Sequence, residues 1–270
     1  MTDSTEPIAD DEPVAEFATI ESVFVRKRNC LLLRGDFSPV FVDYYLHLMQ
    51  HALRPAEEEA AILKQMLAFF TLHLVSRPWK EHHAWTLNLR EPLKAGFFVC
   101  GSSLTEEVVG RSFTEGLKLP QQNTLYAQNL VEGRDPQTSV ITLSGTSPAS
   151  WIEQYYAQSE QRSARAFALA GDSFALLTAE PGADEAWLAS LTAEEVAALA
   201  EHEETKQLET RRFRFHCGCS VDRLLPTIRS LRSNFEDLLA EQGYILANCP
   251  RCGAAFRITP DMIDAEKPSK

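Results

Sequence analysis

No stretch of the 270-residue chain is apolar for long enough to cross a bilayer. The most apolar run, Met66 to Val75, falls far short of the roughly 20 residues a spanning helix needs, and it carries His73. Glycine and proline are sparse, at 12 and 14 residues, which excludes a collagen-like or low-complexity chain. A phosphate-binding glycine loop is missing, so no nucleotide site is expected. Basic residues are outnumbered, 26 Lys and Arg against 38 Asp and Glu. The resulting charge of −12 opposes condensation onto nucleic acid or an anionic membrane. Met1 to Glu16 is acidic and polar, the reverse of a secretory leader, so a cytoplasmic chain with reduced thiols is expected. No Ser-His-Asp or Cys-His arrangement can be traced, and the chain reads as a protein other than an enzyme.

What is present divides the chain into unequal parts. Residues 1–18 read as a disordered acidic tail, 19–180 as an N-terminal mixed domain, 181–212 as a linker, 213–260 as a small metal-binding domain and 261–270 as a second tail. Phe24-Val25-Arg26 and Leu31 to Arg34 predict a strand pair. Val42, Tyr45, Leu46 and Met49 fall at helical spacing, and Ile62, Met66, Phe69, Phe70 and His73 mark a second helix that opens on Glu57-Glu58-Glu59. Trp85–Leu89, Gly96–Cys100, Leu125–Leu130 and Ser139–Leu143 read as strands, with Ser103 to Gly110 as a connector. Trp151 to Gln161 predicts a helix with Ser150 as N-cap, and Ala166–Ala170 with Phe174–Ala179 a hairpin. Helices and strands mix without βαβ alternation, which makes the fold class α+β, with an antiparallel sheet. In the linker, Thr192 to Glu195 opens a helix with a capping box, and Val196, Leu199 and Ala200 give it a narrow apolar stripe. Such a helix depends on docking for its stability.

Six cysteines are few, but four of them are clustered. Cys217-Gly-Cys219 is followed after 29 residues by Cys249-Pro-Arg-Cys252-Gly253. Two close pairs of soft thiolates suit a tetrahedral zinc, and four protein ligands leave no open position for hydrolytic chemistry. One zinc per chain is therefore expected at Cys217, Cys219, Cys249 and Cys252. Between the pairs, Ser220 caps a helix carrying Leu224, Leu225 and Ile228. Ser233 to Glu236 reads as a capping box, and Tyr244–Ala247 and Ala254–Ile258 read as strands. A unit of roughly fifty residues needs such a staple. Either pair could also oxidise internally once the metal leaves, which would turn oxidation into unfolding. Cys30 and Cys100 lie in apolar strands and read as small core residues. His82-His83 and the pair His47/His51 read as surface or satisfied histidines.

The residues that fix a family are Phe215-His-Cys217-Gly-Cys219-Ser220, Leu239-Ala-Glu-Gln-Gly243 and Cys249-Pro-Arg-Cys252. Leu191 to Val196, His202-Glu203-Glu204 and Tyr155 to Gln161 join them. In these the chain resembles the heat-shock protein 33 family of redox-regulated bacterial holdase chaperones. The resemblance implies a zinc-bound reduced form of low activity. Oxidation would form the disulfides Cys217–Cys219 and Cys249–Cys252, release zinc, and unfold the small domain and linker. Exposed apolar surface would then hold unfolded or partly unfolded client proteins without ATP. A homodimer on oxidation belongs to the same expectation, and nucleic acid and membranes do not. Two alternatives stand beside it. One is a zinc-ribbon nucleic-acid binder using Arg211, Arg212, Arg214, Arg223, Arg229, Arg232 and Arg251. The segment Thr205 to Ile258 has nine Lys and Arg against five Asp and Glu, or +4, in its favour. The other is a family member whose zinc is purely structural, motivated by a short linker.

Overall fold

The structure, a computed structural model, describes residues 16–117, 120–231, 233 and 236–265. Residues 1–15 of the expected acidic tail and 266–270 of the second one lie outside the described residues. So do Asn234 and Phe235 of the expected Ser233–Glu236 capping box.

Mixed α+β architecture is observed. Strand β1 (Ala18–Val25) turns through a short 3-10 segment, Arg26–Arg28, into β2 (Cys30–Asp36). Helices α1 (Ser38–Gln50) and α2 (Glu57–Val75) follow, then a meander of β3 (Glu81–Leu89), β4 (Ala95–Ser102), β5 (Glu107–Phe113), β6 (Thr124–Val131) and β7 (Gln137–Thr142). Helix α3 (Pro148–Tyr155) runs into a π-turn over Tyr156–Glu160, and β8 (Ala164–Ala168) and β9 (Ser173–Ala179) form a hairpin. Three short helices come next: α4 (Glu185–Ser190), α5 (Ala193–Ala197) and α6 (Leu199–His202). Strand β10 (Thr205–Phe215) returns the chain to the sheet. Last come α7 (Val221–Ser230), α8 (Glu236–Gln242), the hairpin β11 (Ile245–Asn248) with β12 (Ala255–Ile258), and α9 (Pro260–Asp264).

Ten of these strands join in the order β7-β6-β3-β4-β5-β10-β1-β2-β9-β8. The sheet is two halves that meet at β10. Along most of its length β10 pairs antiparallel with β1, from Ala18 opposite Phe213 to Val25 opposite Thr205. Only its end reaches β5, in a parallel pairing of Arg214 with Glu107 and Phe215 with Val108. The Arg214 and His216 amides donate to the Glu106 and Val108 carbonyls there, at 3.0 and 3.1 Å.

Helix α2 is buried on nearly every side from Ile62 onward, as its apolar sequence requires. Phe37, Phe41 and Phe69 gather edge-on or tilted around Phe174 and each other, and Phe70 meets Trp85 at 5.0 Å. Helix α1 departs from the expectation. Val40, Phe41 and Tyr44 face the core, whereas Val42, Tyr45, Leu46 and Met49 are exposed. Both stripes are apolar, and the one with the aromatic rings that complete the Phe174 cluster is buried.

Several further details differ from expectation. Ser103 to Gly110 is no simple connector, because Glu107 already opens β5. Helix α3 begins at Pro148 after Ser147, so Ser150 does not cap it; Glu153 instead accepts from Arg165 and from the Ala166 amide. The residues assigned to a linker over 181–212 divide in two. The helices α4 to α6 lie on the sheet face opposite α2, with Leu188, Leu191, Val196 and Leu199 over Val25, Cys30, Leu32 and Leu177. From Thr205 onward the chain is sheet. The Thr192–Glu195 capping box is present, while Ala200 is exposed. Residues 261–264, expected in a tail, belong to α9. No described helix is long and apolar enough to cross a membrane.

Candidate metal centre

Strand β10 delivers Phe215 into the core and places Cys217 two residues beyond it. Gly218 then turns the chain at φ +59, and a Cβ there would meet His216 and Arg223 at 3.1 Å. This is why the residue between the first two cysteines has no side chain. Cys249 and Cys252 stand at the turn between β11 and β12. The Cys249 amide donates to the Ala254 carbonyl at 2.8 Å and the Gly253 amide to the Cys249 carbonyl at 2.9 Å. Gly253, at φ +82, lets that turn curl around its sulfurs.

The four Sγ atoms lie within 4.8 Å of one another. Cys217 and Cys249 are 3.6 Å apart and Cys219 and Cys252 3.4 Å. A bonded pair would stand at about 2.05 Å. Four sulfurs around one zinc, each at about 2.3 Å, stand about 3.8 Å apart along the tetrahedron edges, so the set fits such an ion. Cys217, Cys249 and Cys252 are buried and Cys219 is partly exposed.

Their electrostatics call for a cation. The sulfurs of Cys217 and Cys249 share a hydrogen bond in which either can donate, and the contacts of Cys249 with Cys217 and Cys252 hold its pKa well below the ordinary thiol range. The same bonds push the Cys217 thiol far above it. Four ionised thiols so close together repel one another, and a positive charge among them relieves that repulsion. Arg251 donates to the Cys217 carbonyl at 3.3 Å and to Cys100 Sγ at 3.4 Å, adding positive charge beside the cluster. That link between Cys100 and the Cys-Pro-Arg-Cys turn has no signal in the sequence. Burial pushes the Cys100 thiol up, with Arg251 pulling it back in part, and burial pushes Cys30 up to about 11. Both are protonated at neutral pH and poor nucleophiles.

The metal end of the C-terminal segment packs into the main core, since Cys217, Cys249, Cys252 and Ala254 join the cluster of Phe215 and Tyr44. Beyond it, Leu225, Ile228, Ile245, Ile258 and Ile263 make a separate small core. Ser220 caps α7, accepting from the Arg223 amide as expected. His83 is buried on the Glu81 carboxylate at 3.0 Å, whereas His47 Nε2 makes no well-formed hydrogen bond.

The fold and the site together define an α+β protein with a four-thiol centre docked on its sheet. A family model described as Hsp33 protein matches residues 50–259, and the chain belongs to that family. Relatives named 33 kDa chaperonin include those of Nitrosococcus oceani, 28% identical over 50% of this chain and 54% of its own, and Edwardsiella ictaluri, 30% identical over 47% and 52%. The chain thus spans about half the length of these relatives. A crystal structure of the 33 kDa chaperonin (heat shock protein 33 homolog) from Thermotoga maritima has the same fold. Its TM-score is 0.72 over 92% of this chain and 96% of that one, at 15% identity.

Proposed function

We propose that this chain is a redox-regulated, ATP-independent holdase of the cytoplasm, with the four cysteines as its switch and zinc as the resident ion. The observation that carries the reading is four thiols at tetrahedral spacing in a chain of the Hsp33 family. When bound, the ion balances the charge of four thiolates and closes the 217–252 loop. Peroxide takes two electrons from each cysteine pair: two thiolates and two protons give one disulfide and two waters per peroxide. Bonded as Cys217–Cys219 and Cys249–Cys252, the sulfurs no longer ligate. Among the described residues the C-terminal segment is then left with Leu225, Ile228, Ile245, Ile258 and Ile263 as its own buried core, a small one for a unit of its size. Because β10 joins Cys217 to α6 without slack, loosening at the cysteines reaches α4–α6. Their departure uncovers Val25, Leu32, Phe167 and Leu177, an apolar face for unfolded clients. A homodimer of the oxidised form follows if two such faces meet.

The test is zinc release, followed with a chelating dye, alongside light scattering by a thermally unfolding protein, before and after peroxide at raised temperature. Release of about one zinc per chain together with suppressed scattering supports the reading. Bound zinc and unchanged scattering support the second one, a purely structural zinc, which the burial of three cysteines in the main core favours. A nucleic-acid role draws less support. Arg211, Arg212, Arg214, Arg229 and Arg251 are engaged with groups of the chain itself.

A further inference from the structure

Beside the thiols, helix α1 turns a polar face toward a cavity of about 500 Å³. Asp43, His47 and His51 recur there at four-residue intervals and so lie one above another on a single face. All three line the cavity, together with His216 and the partly exposed Cys219. The imidazoles of His47 and His51 are 4.5 Å apart between ring centres. Phe215 packs against the His47 ring at 5.4 Å and Phe256 against His51 at 6.1 Å, which limits how far either ring can swing. The half-buried His47 ring lies against the backbone of Cys252, and its Nε2 makes no well-formed hydrogen bond. An imidazole nitrogen so placed has a lone pair to offer a cation.

We propose that His47 and His51 form a second divalent-cation site, separate from the four thiols, with Asp43 or His216 and water completing its coordination. Two imidazoles one helical turn apart are a known zinc-binding arrangement on helices. The donor set selects zinc, nickel or copper over magnesium and calcium, which prefer oxygen alone. Among the described residues only the four cysteines have three or more ligand atoms within 4.8 Å of one another. The histidine site is therefore a two-imidazole site whose further donors must rotate in, and it binds more weakly than the thiols. It does not depend on the redox reading.

Cobalt(II) alone, titrated into the reduced full-length chain, separates the two sites. Thiolate ligation gives a sulfur-to-metal charge-transfer band, and imidazole ligation gives only weak visible bands. The expected result is two cobalt ions per chain, the first building the charge-transfer band and the second leaving it unchanged. H47Q/H51Q keeps the first ion and loses the second, with at least a tenfold weaker apparent affinity. Should that variant misfold, H51Q alone supplies the comparison. Three results would each overturn the proposal: one ion per chain, a second ion indifferent to these substitutions, or a second ion that changes the charge-transfer band by drawing in Cys219. Absence of the band from the first ion would count against the thiol centre and leave this proposal standing on the second.

Discussion

Arg211 ties β10 to the end of α2 and to the loop after β4. Its buried guanidinium donates to the carbonyls of Leu74 and Arg77 at the end of α2, to Ser103 Oγ and to Glu209, and it stacks on Trp79 at 4.4 Å. In the sequence it is one of a run of arginines, because only the position of β10 decides which of them is buried. Arg211→Leu strands those carbonyls and Glu209, and the expected loss is about 3–5 kcal/mol in denaturant unfolding. Arg211→Lys recovers little of it, having no planar fork. His73 gives a second test. It is fully buried against Tyr156 Oη at 3.1 Å, and burial holds its pKa well below 6.5. The unfolded chain therefore takes up a proton that the folded one refuses, and stability is full above pH 6.5 and falls below it. Between pH 7.5 and 5.5 the loss owed to His73 is about 1.4 kcal/mol in all, and denaturant unfolding of His73→Gln should lose that part of the pH dependence. The cysteine pairs, by contrast, were legible in sequence because their spacing along the chain is itself the chemistry. His47 was not, since its buried nitrogen depends on how α1 meets the metal turn.

Among the elements, the helices that cap themselves locally were readable and those placed by partners were not. The capping box at Thr192 and the N-cap at Ser220 stand where their residues put them. Helix α1 shows the opposite case, since two apolar stripes compete and tertiary packing chooses. The segment α4–α6 is held at both ends by one hairpin. Arg28 pairs with Asp184 at 2.7 Å and with Glu203 at 2.9 Å and lies over Trp187, and Arg26 reaches Glu204. These pairs are partly exposed, so salt weakens them. Cys30, wholly buried beneath the segment, reports its position. Arg28→Ala, or added salt with the native residue, should raise the alkylation rate of Cys30 severalfold in the reduced chain. A rate unchanged by the substitution would mean that the apolar contacts alone hold the segment down.

At the scale of the whole molecule, the metal end and the small aliphatic core of the C-terminal segment answer differently to metal removal. Chelation of the reduced chain should produce a separate, low-temperature transition in calorimetry, with hydrogen exchange rising over 217–263 while α2 and β3 stay protected. A single undivided transition would show instead that the docked cysteines make the segment part of the main core. The α+β class was readable from mixed helical and alternating patterns, but the joining of two half-sheets by β10 was not, because pairing β1 with residues 205–213 is non-local. That placement bears on how the protein is made. Synthesis runs from the N-terminus, so both half-sheets can assemble while the strand between them is still inside the ribosome. Until residue 215 has emerged, the nascent chain presents β1 and β5 as open edges, the kind of surface on which chains aggregate. A protein that we propose guards others against aggregation is, for most of its own synthesis, a candidate for the same protection.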